Sequence, residues 1–360
     1  MKEKIISGIQ QIGIGVPHIY QAWGWYKKYF GVDVRIFEEA APAGFMVPYT
    51  GGETRNRHAA LAINLQGGGG FEIWQYTDRV PQAPGFELQV GDLGIFATKI
   101  KSKNVRATYD WFKAEGLNIV GEVNNFKEIE TFFLRDPYNN LFQIVPSGNW
   151  FRNEKKLTGA SYGAVIGVSD IDKSKDFYSS ILGYDQVIYD ETGIFDDLAL
   201  LPGGKSKFRR ILLRHSQPRL GAFSMLFGTS QMELVQVLDR KPQKIYQDRY
   251  WGDLGFIHIC FDIRGMDLLR EECKLKGCPF TVDTGNSFDM GEAAGAFSYT
   301  EDPDGTLIEF VETHRIPIIK KLGIYLDLMK RKPEKALPRW MLNVLSLSRA
   351  RDIKIGKAGV

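Results

Sequence analysis

The second half of the chain has the hydrophobic pattern of two short units, each built from strands and one helix. Apolar runs predict strands at 163–169, 208–214, 222–227 and 231–238, and the segment 172–182 has helical spacing. Gly183 directly follows that segment, where a glycine commonly ends a helix. The order then returns, with a helix at 266–276 and strands at 256–263, 280–282, 296–300 and 306–312. Each unit is predicted to be β-α-β-β-β, and the first half gives the same order less clearly.

An internal repeat relates the two halves of the chain. The segment Phe71–Gln82 shares Glu, Gln, Asp, Arg, Pro and Gln with Met232–Gln243 at an offset of 161 residues. At the same offset, the Gly-Asp-Leu-Gly at 91–94 recurs at 252–255. Ordered matches of this kind indicate a duplicated fold. We therefore predict domains at 1–148 and 158–315, a polar linker at 146–156 between them, and a separate tail at 316–360.

Two motifs in the second half resemble those of a known superfamily. Val168-Ser-Asp-Ile-Asp-Lys-Ser-Lys-Asp-Phe-Tyr178, followed by Leu182-Gly183, and Asp302-Pro-Asp-Gly-Thr-Leu-Ile-Glu309 are similar to the opening and closing motifs of the vicinal oxygen chelate fold. Glyoxalases, bleomycin resistance proteins and extradiol dioxygenases share this fold. The resemblance implies an α+β protein whose four β-α-β-β-β modules form two glyoxalase-like domains. It does not select a reaction, because the fold hosts many.

In this superfamily, metal ligands come from the first and last strands of the modules. The resemblance therefore indicates five candidate metal ligands: Gln11, Glu72, Glu233, His258 and Glu309. Three further positions offer no comparable ligand: Gln143, Gly163 and a site near Ile95. The resemblance thus implies a degenerate set of ligands in the first domain and a metal site in the second.

Strand alternation supports these candidates. Successive side chains on a strand face opposite sides, so His258 faces away from Ile257 and Ile259, and Glu309 faces away from Ile308. Because a buried, unpaired carboxylate is costly, it requires a cation, a donor or water. A divalent Zn, Ni, Mn, Co or Fe ion held by His and Glu meets that requirement. The alternative is that the strands are half exposed and their carboxylates face solvent.

Module pairing decides which candidates meet. In this superfamily, two paired modules curl their sheets around a cup that holds the ligands. If adjacent modules pair, one cup holds Glu233, His258 and Glu309. If the first module pairs with the fourth, Gln11 and Glu72 join His258 and Glu309, and this set resembles the glyoxalase I site. The short connections favour adjacent pairing, which is the commoner tandem arrangement. His258 and Glu309 belong to the site in both cases.

The resemblance also implies a shared chemistry, in which a metal binds two neighbouring oxygens of the substrate. We expect a metal-dependent glyoxalase-like lyase or isomerase that acts on a small oxygenated substrate through a metal-stabilised enediolate, with Glu309 or its carboxylate partner as base. An extradiol ring-cleaving dioxygenase is the second hypothesis, although its first His would align with Gly163. A metal-free binding protein of the bleomycin-resistance type is the third, and tryptophans such as Trp74 and Trp251 would suit a flat ligand.

Composition restricts the remaining classes. Hydrophobic residues make up 44% of the chain and charged residues 25%, which is typical of globular domains and not of disorder. No apolar run approaches the length of a membrane span. The three cysteines, Cys260, Cys273 and Cys278, form no disulfide framework, so we expect a cytoplasmic protein. The expected partner is a small-molecule substrate and not a nucleic acid.

The tail differs from the rest of the chain in charge. Residues 315–360 contain twelve Lys and Arg against three Asp and Glu, a balance of +9, while the preceding residues sum to −6. Apolar residues from Ile318 to Met329 recur at helical spacing and predict a basic helix. Two roles remain open, namely association with a membrane surface or partner, and packing across the body over the mouth of a cup. The second is favoured.

Overall fold

A computed structural model describes residues 4–285, 288–290, 293–319 and 324–353. Its strands are β1 (Ile5–Gly15), β2 (Val34–Pro42), β3 (Asn56–Ile63), β4 (Gly70–Tyr76), β5 (Gly94–Ser102), β6 (Asn118–Phe126), β7 (Ile129–Arg135), β8 (Leu141–Pro146), β9 (Thr158–Gly167), β10 (Gln186–Gly193), β11 (Phe208–Arg214), β12 (Gln231–Val237), β13 (Gly255–Arg264), β14 (Val282–Asp283), β15 (Phe288–Met290), β16 (Ala293–Glu301), β17 (Leu307–Ile319) and β18 (Ile324–Asp327). Its helices are α1 (Ile19–Phe30), α2 (Val105–Ala114), α3 (Ile171–Ser180), α4 (Ser224–Phe227), α5 (Met266–Leu275) and α6 (Arg339–Val344). The α+β class and the four predicted modules are confirmed.

The strands form two sheets, each built from two modules. The first sheet has the order β14-β16-β17-β13-β1-β4-β3-β2, with β15 on β16 and β18 on β17. The second has the order β10-β11-β12-β9-β5-β8-β7-β6. In the first sheet β1 and β13 are antiparallel neighbours, and in the second β5 and β9 are. The first module therefore pairs with the fourth, and the second with the third.

The prediction of adjacent pairing is thus wrong. Connection length does not enforce it, because the segments 77–93 and 238–254, which join consecutive modules that lie in different sheets, each contain 17 residues. An extended segment of that length reaches up to about 55 Å, enough to carry the chain from one sheet to the other. Each sheet takes strands from both halves of the sequence. The limits 1–148 and 158–315 remain a prediction about the repeat.

One apolar cluster joins the two sheets to four of the helices. Its buried members include Ile12, Trp23, Phe112, Ile144, Ile166, Tyr178, Ile259 and Leu269. Because neighbouring side chains on a strand point to opposite sides, His258 faces away from this cluster. We call the face of the first sheet that carries Glu72, His258 and Glu309 the first cup. The corresponding face of the second sheet, which carries Glu233, is the second cup.

One predicted strand is a helix, and one strand was not predicted. Residues 222–227 contain α4, in which the N–H of Gly228 donates to the carbonyl of Ser224 at 2.9 Å. Gly221 and Gly228 flank this turn with positive φ values of 108° and 64°, where glycine is favoured. The strand of the third module that pairs with β11 is instead β10, whose alternation is interrupted by charged residues.

The tail begins as strand and not as helix. Residues up to Ile319 continue β17, and β18 pairs back on it, so a helix from Ile318 to Met329 is wrong for the part described; residues 320–323 lie outside the described residues. The helical part of the tail is α6, further along. None of the helices in the described ranges is long and apolar enough to cross a membrane.

The tail packs on the first cup, which agrees with the favoured prediction that it packs across the body. Leu328, Leu337 and Leu342 are buried in one cluster with Leu61 of β3. Leu61 is the direct neighbour of Glu72 across the strand pair, so both side chains face the first cup. The tail therefore covers part of the face that carries the candidate ligands.

Lys101 should make stability depend on pH. Its ammonium is buried between the sheets, donating to the carbonyls of Gly67 and Phe227, and burial lowers its pKa to about 7. Since the unfolded chain holds this proton up to a pH near 10.5, the unfolded state binds more protons between pH 7 and 10.5. The free energy of unfolding should therefore rise across this window by up to about 4 kcal/mol.

A Lys101→Met protein tests this assignment by urea unfolding at several pH values. We expect it to lose most of the rise and to be more stable than the parent at pH 7. Lys205→Met, at an exposed position, should keep the parent profile. A Lys101→Met profile parallel to that of the parent would show that the buried ammonium does not cause the pH dependence.

Candidate metal centre

Three side chains from three strands meet in the first cup. Nε2 of His258 on β13 lies 3.0 Å from Oε2 of Glu309 on β17 and 3.3 Å from Oε2 of Glu72 on β4. The ligand atoms of all three lie within 4.8 Å of one another. The order β17-β13-β1-β4 explains the convergence, since the two carboxylates approach from strands on either side of the central pair.

Gln11 of β1 is the fourth member of this group. Its Nε2 donates to Oε2 of Glu309 at 3.2 Å. Its Oε1 is buried and has no hydrogen-bond partner among the described residues, and the same is true of Nε2 of His258. The imidazole nitrogen is thus close to two carboxylate oxygens without being aligned for a hydrogen bond to either. Two buried polar atoms without a hydrogen-bond partner in the described part of the chain therefore belong to side chains that contact the carboxylate of Glu309.

The imidazole is held by residues that the sequence motifs do not predict. Gly13 lies directly opposite His258 across the strand pair, and a Cβ at this position would come within 2.3 Å of Cε1 of His258. The ring of Trp251 lies parallel to the imidazole at 6.2 Å between centroids, and Tyr299 meets it edge-on at 5.4 Å. The only sequence signal for this cradle is a glycine that interrupts the apolar run from Ile12 onward.

The charges around His258 determine its protonation. Burial opposes a charge on the imidazole, but the negative charge of Glu309 and then the contribution of Glu72 outweigh it and raise the pKa of His258 to about 9. Burial, with Glu309 second, raises the pKa of Cys260 and of Tyr299 well above their usual values. The thiol and the phenol therefore stay protonated at neutral pH, and the anionic donors here are the two carboxylates.

These side chains fit a divalent ion. One imidazole nitrogen, two carboxylates and one amide oxygen form an N/O donor set that suits Zn, Ni, Mn, Co or Fe. Nε2 of His258, once it has lost its proton, and Oε1 of Gln11 are the buried atoms whose lone pairs such an ion would accept. The room left by Gly13 and the rings around the imidazole fix its direction. Four of the five predicted ligands are therefore brought together.

The fifth predicted ligand, Glu233, lies in the second cup and faces cations from the protein. Its carboxylate accepts from Nζ of Lys99 at 2.7 Å and from Arg210 at 2.6 Å and 2.9 Å, and Tyr189 donates to it at 2.8 Å. Arg210 is in turn paired with Asp197 at 2.8 Å. Burial opposes the charge on Glu233, but Lys99 and Arg210 outweigh it and hold its pKa at about 2. Lys99 and Arg210 thus neutralise the buried carboxylates of the second cup.

Lys99 lies beside Glu233 in the second cup, as His258 lies beside Glu72 in the first. At the 161-residue offset, Glu233 matches Glu72, but His258 matches Ala97. The ammonium of Lys99, two residues further along β5, contacts both Glu233 and Gln143. The sequence motifs do not predict this residue. The available signal is a lysine inside the apolar run that starts at Ile95.

Comparisons with known proteins agree with this fold. Residues 163–310 match the family model of the glyoxalase/bleomycin resistance protein/dioxygenase superfamily. The fold is similar to that of glyoxalase I from Zea mays, with 13% identity, a TM-score of 0.51, and coverage of 86% of this chain and 92% of that one. It is also similar to a protein from Bacillus subtilis provisionally assigned as a dioxygenase, with 14% identity, a TM-score of 0.55 and 86% of both chains covered. A search of curated proteins finds no match.

Proposed function

Because residues 163–310 match the family model of the glyoxalase/bleomycin resistance protein/dioxygenase superfamily, we propose that the protein is a metal-dependent lyase or isomerase with one active centre in the first cup. Gln11, Glu72, His258 and Glu309 would bind one divalent ion. The observation that carries this proposal is Nε2 of His258, which is fully buried, lacks a hydrogen bond among the described residues and lies between two carboxylates.

The substrate class follows from what the bound ion and the protein groups can do together. A divalent ion in such a site supplies Lewis-acid stabilisation of negative charge on neighbouring substrate oxygens. Glu309 would accept a proton from the substrate carbon next to a carbonyl and return it, as a positioned carboxylate can. Gln11 holds Glu309 through its amide donor at 3.2 Å. Covering of the cup by the tail would keep bulk water from the transferred proton.

The ligand set favours proton transfer over ring cleavage. Non-haem iron oxygenases typically use two histidines and one carboxylate. The first cup offers one histidine and two carboxylates, because the first-strand position is Gln11. An isomerase or lyase is therefore the proposed class, and a ring-cleaving dioxygenase ranks second.

Hydrogen exchange with solvent separates these two classes. The metal-loaded protein is incubated in D2O with hemithioacetals of α-ketoaldehydes, and the carbon next to the carbonyl is followed by NMR. We expect deuterium at that carbon, with exchange lost in Glu309→Gln at saturating metal. Oxygen uptake with catechols and no exchange would replace the proposal with the dioxygenase.

The affinity for metal should fall as the pH is lowered. Because the pKa of His258 is raised to about 9 without metal, an entering ion must displace that proton at lower pH. We expect the apparent affinity to drop about tenfold for each pH unit below 9 and to level off above it. Competition with a chromophoric chelator between pH 6 and 10 measures this. A constant affinity from pH 6 to 9 would mean that His258 does not bind the ion.

A further inference from the structure

We propose that the tail carries a surface that binds anionic phospholipid bilayers. This tail surface combines exposed apolar side chains with exposed lysines: Leu220, Lys332, Lys335, Trp340, Val344 and Leu347. Most of it lies beyond the duplicated fold, and none of it belongs to the candidate metal centre. The inference is therefore independent of the proposed reaction.

The apolar half of the tail surface is one side of a short helical segment. α6 and the 3-10 helix that follows it run continuously from 339 to 348. Positions four and seven residues apart share a helix face, so Trp340, Val344 and Leu347 lie along one side. Trp340 is 63% exposed and Leu347 is 84% exposed, whereas Leu342 on the other side is 1% exposed. The inward side thus anchors the segment, and the outward side presents large apolar groups to solvent.

A loop of the third module extends this surface. The N–H of Gly221 donates to the carbonyl of Glu334 at 3.2 Å, and the N–H of Leu337 donates to the carbonyl of Ala222 at 2.9 Å. These two bonds fix the loop beside the tail and place Leu220, which is 50% exposed, next to it. The tail surface is therefore held on the folded body before it meets a ligand.

The charge of the tail indicates that its surface binds an anionic ligand. Lys332 and Lys335 are exposed, and no carboxylate of the described residues lies within 4 Å of either ammonium. The tail as a whole has a balance of +9. Exposed Trp and Leu beside clustered basic residues are typical of segments that lie in the interface of an anionic bilayer. A second copy of this chain fits less well, because pairing through this surface would bring two positive tails together.

Vesicle sedimentation with the full-length protein tests the proposal. We expect binding to phosphatidylcholine vesicles that contain phosphatidylserine, and little binding to phosphatidylcholine alone. Replacing Trp340 and Leu347 together by Ser should weaken binding at least about tenfold, since two apolar side chains no longer insert. Lys332→Gln with Lys335→Gln should weaken it roughly twentyfold, and high salt should do the same to the parent.

A matched control separates binding through this surface from nonspecific adsorption through any exposed apolar side chain. Leu275 on α5 is 85% exposed, so Leu275→Ser removes a similar apolar side chain from the body and should bind as the parent does. The proposal fails if the parent binds neither vesicle, if both vesicles bind equally, or if the Trp340 and Leu347 variant binds like the parent. A parent dimer that this variant converts to a monomer, without vesicle binding, would assign the surface to self-association instead.

Discussion

A His258→Ala protein should purify without its metal and keep its fold. Loss of an outer-shell partner already weakens metal binding about 10–100-fold, so loss of this nitrogen ligand should cost at least about 100-fold. The fold should persist because the imidazole lies in a cup and not in the main apolar cluster. Metal content by plasma mass spectrometry, on protein purified without chelator or nickel resin, measures the effect.

A second histidine provides the control. His18 is exposed at the start of α1, and His18→Ala should contain as much metal as the parent. We expect the parent to bind one ion per chain, because the second cup is filled by Lys99. Unchanged metal in His258→Ala, or two ions in the parent, would contradict the assignment of a single centre to the first cup.

A Glu233→Gln protein should be strongly destabilised while its metal content stays unchanged. Removing this carboxylate leaves Lys99 and Arg210 buried with one anion fewer. Breaking a buried ion pair from one side typically costs about 3–5 kcal/mol. Denaturant unfolding followed by circular dichroism measures the loss, and mass spectrometry measures the metal.

The repeat supplies the matched variant for this test. Glu72 occupies the equivalent position in the first cup, and Glu72→Gln should give the opposite result. We expect it to lose metal and, in the presence of chelator, to unfold within about 1 kcal/mol of the parent. The same substitution at repeat-related positions would then separate a ligand from a structural anion. Equal effects of the two substitutions on metal content would contradict the distinction between the cups.

Much of the fold could be predicted from the sequence. The repeat predicts four modules, and alternation places Glu72, His258 and Glu309 on strand faces opposite the main core, as observed. The start of the tail could not be predicted, because helical spacing of its apolar residues gave way to backbone pairing between β17 and β18. Tertiary pairing of this kind routinely overrides weak local preference.

The sequence predicts the five candidate ligands but not which of them share one site. Glu72 and Glu233 stand at equivalent repeat positions between apolar neighbours, so local pattern cannot tell them apart. What separates them is a cation brought from another strand, since Lys99 of β5 reaches Glu233 and leaves no need for an ion there. The role of Gly13 is likewise visible only in the structure, where the imidazole of His258 packs against it.

The sequence by itself determined the four modules and the face on which each candidate ligand lies, because side-chain alternation is a local property of the chain. Only the tertiary structure decided that β1 lies beside β13, and hence that Gln11 and Glu72 join His258 and Glu309. Backbone hydrogen bonds are alike for any pair of strands, so they do not specify which strand pairs with which. The choice depends on how the two sheets bury one shared core with their helices.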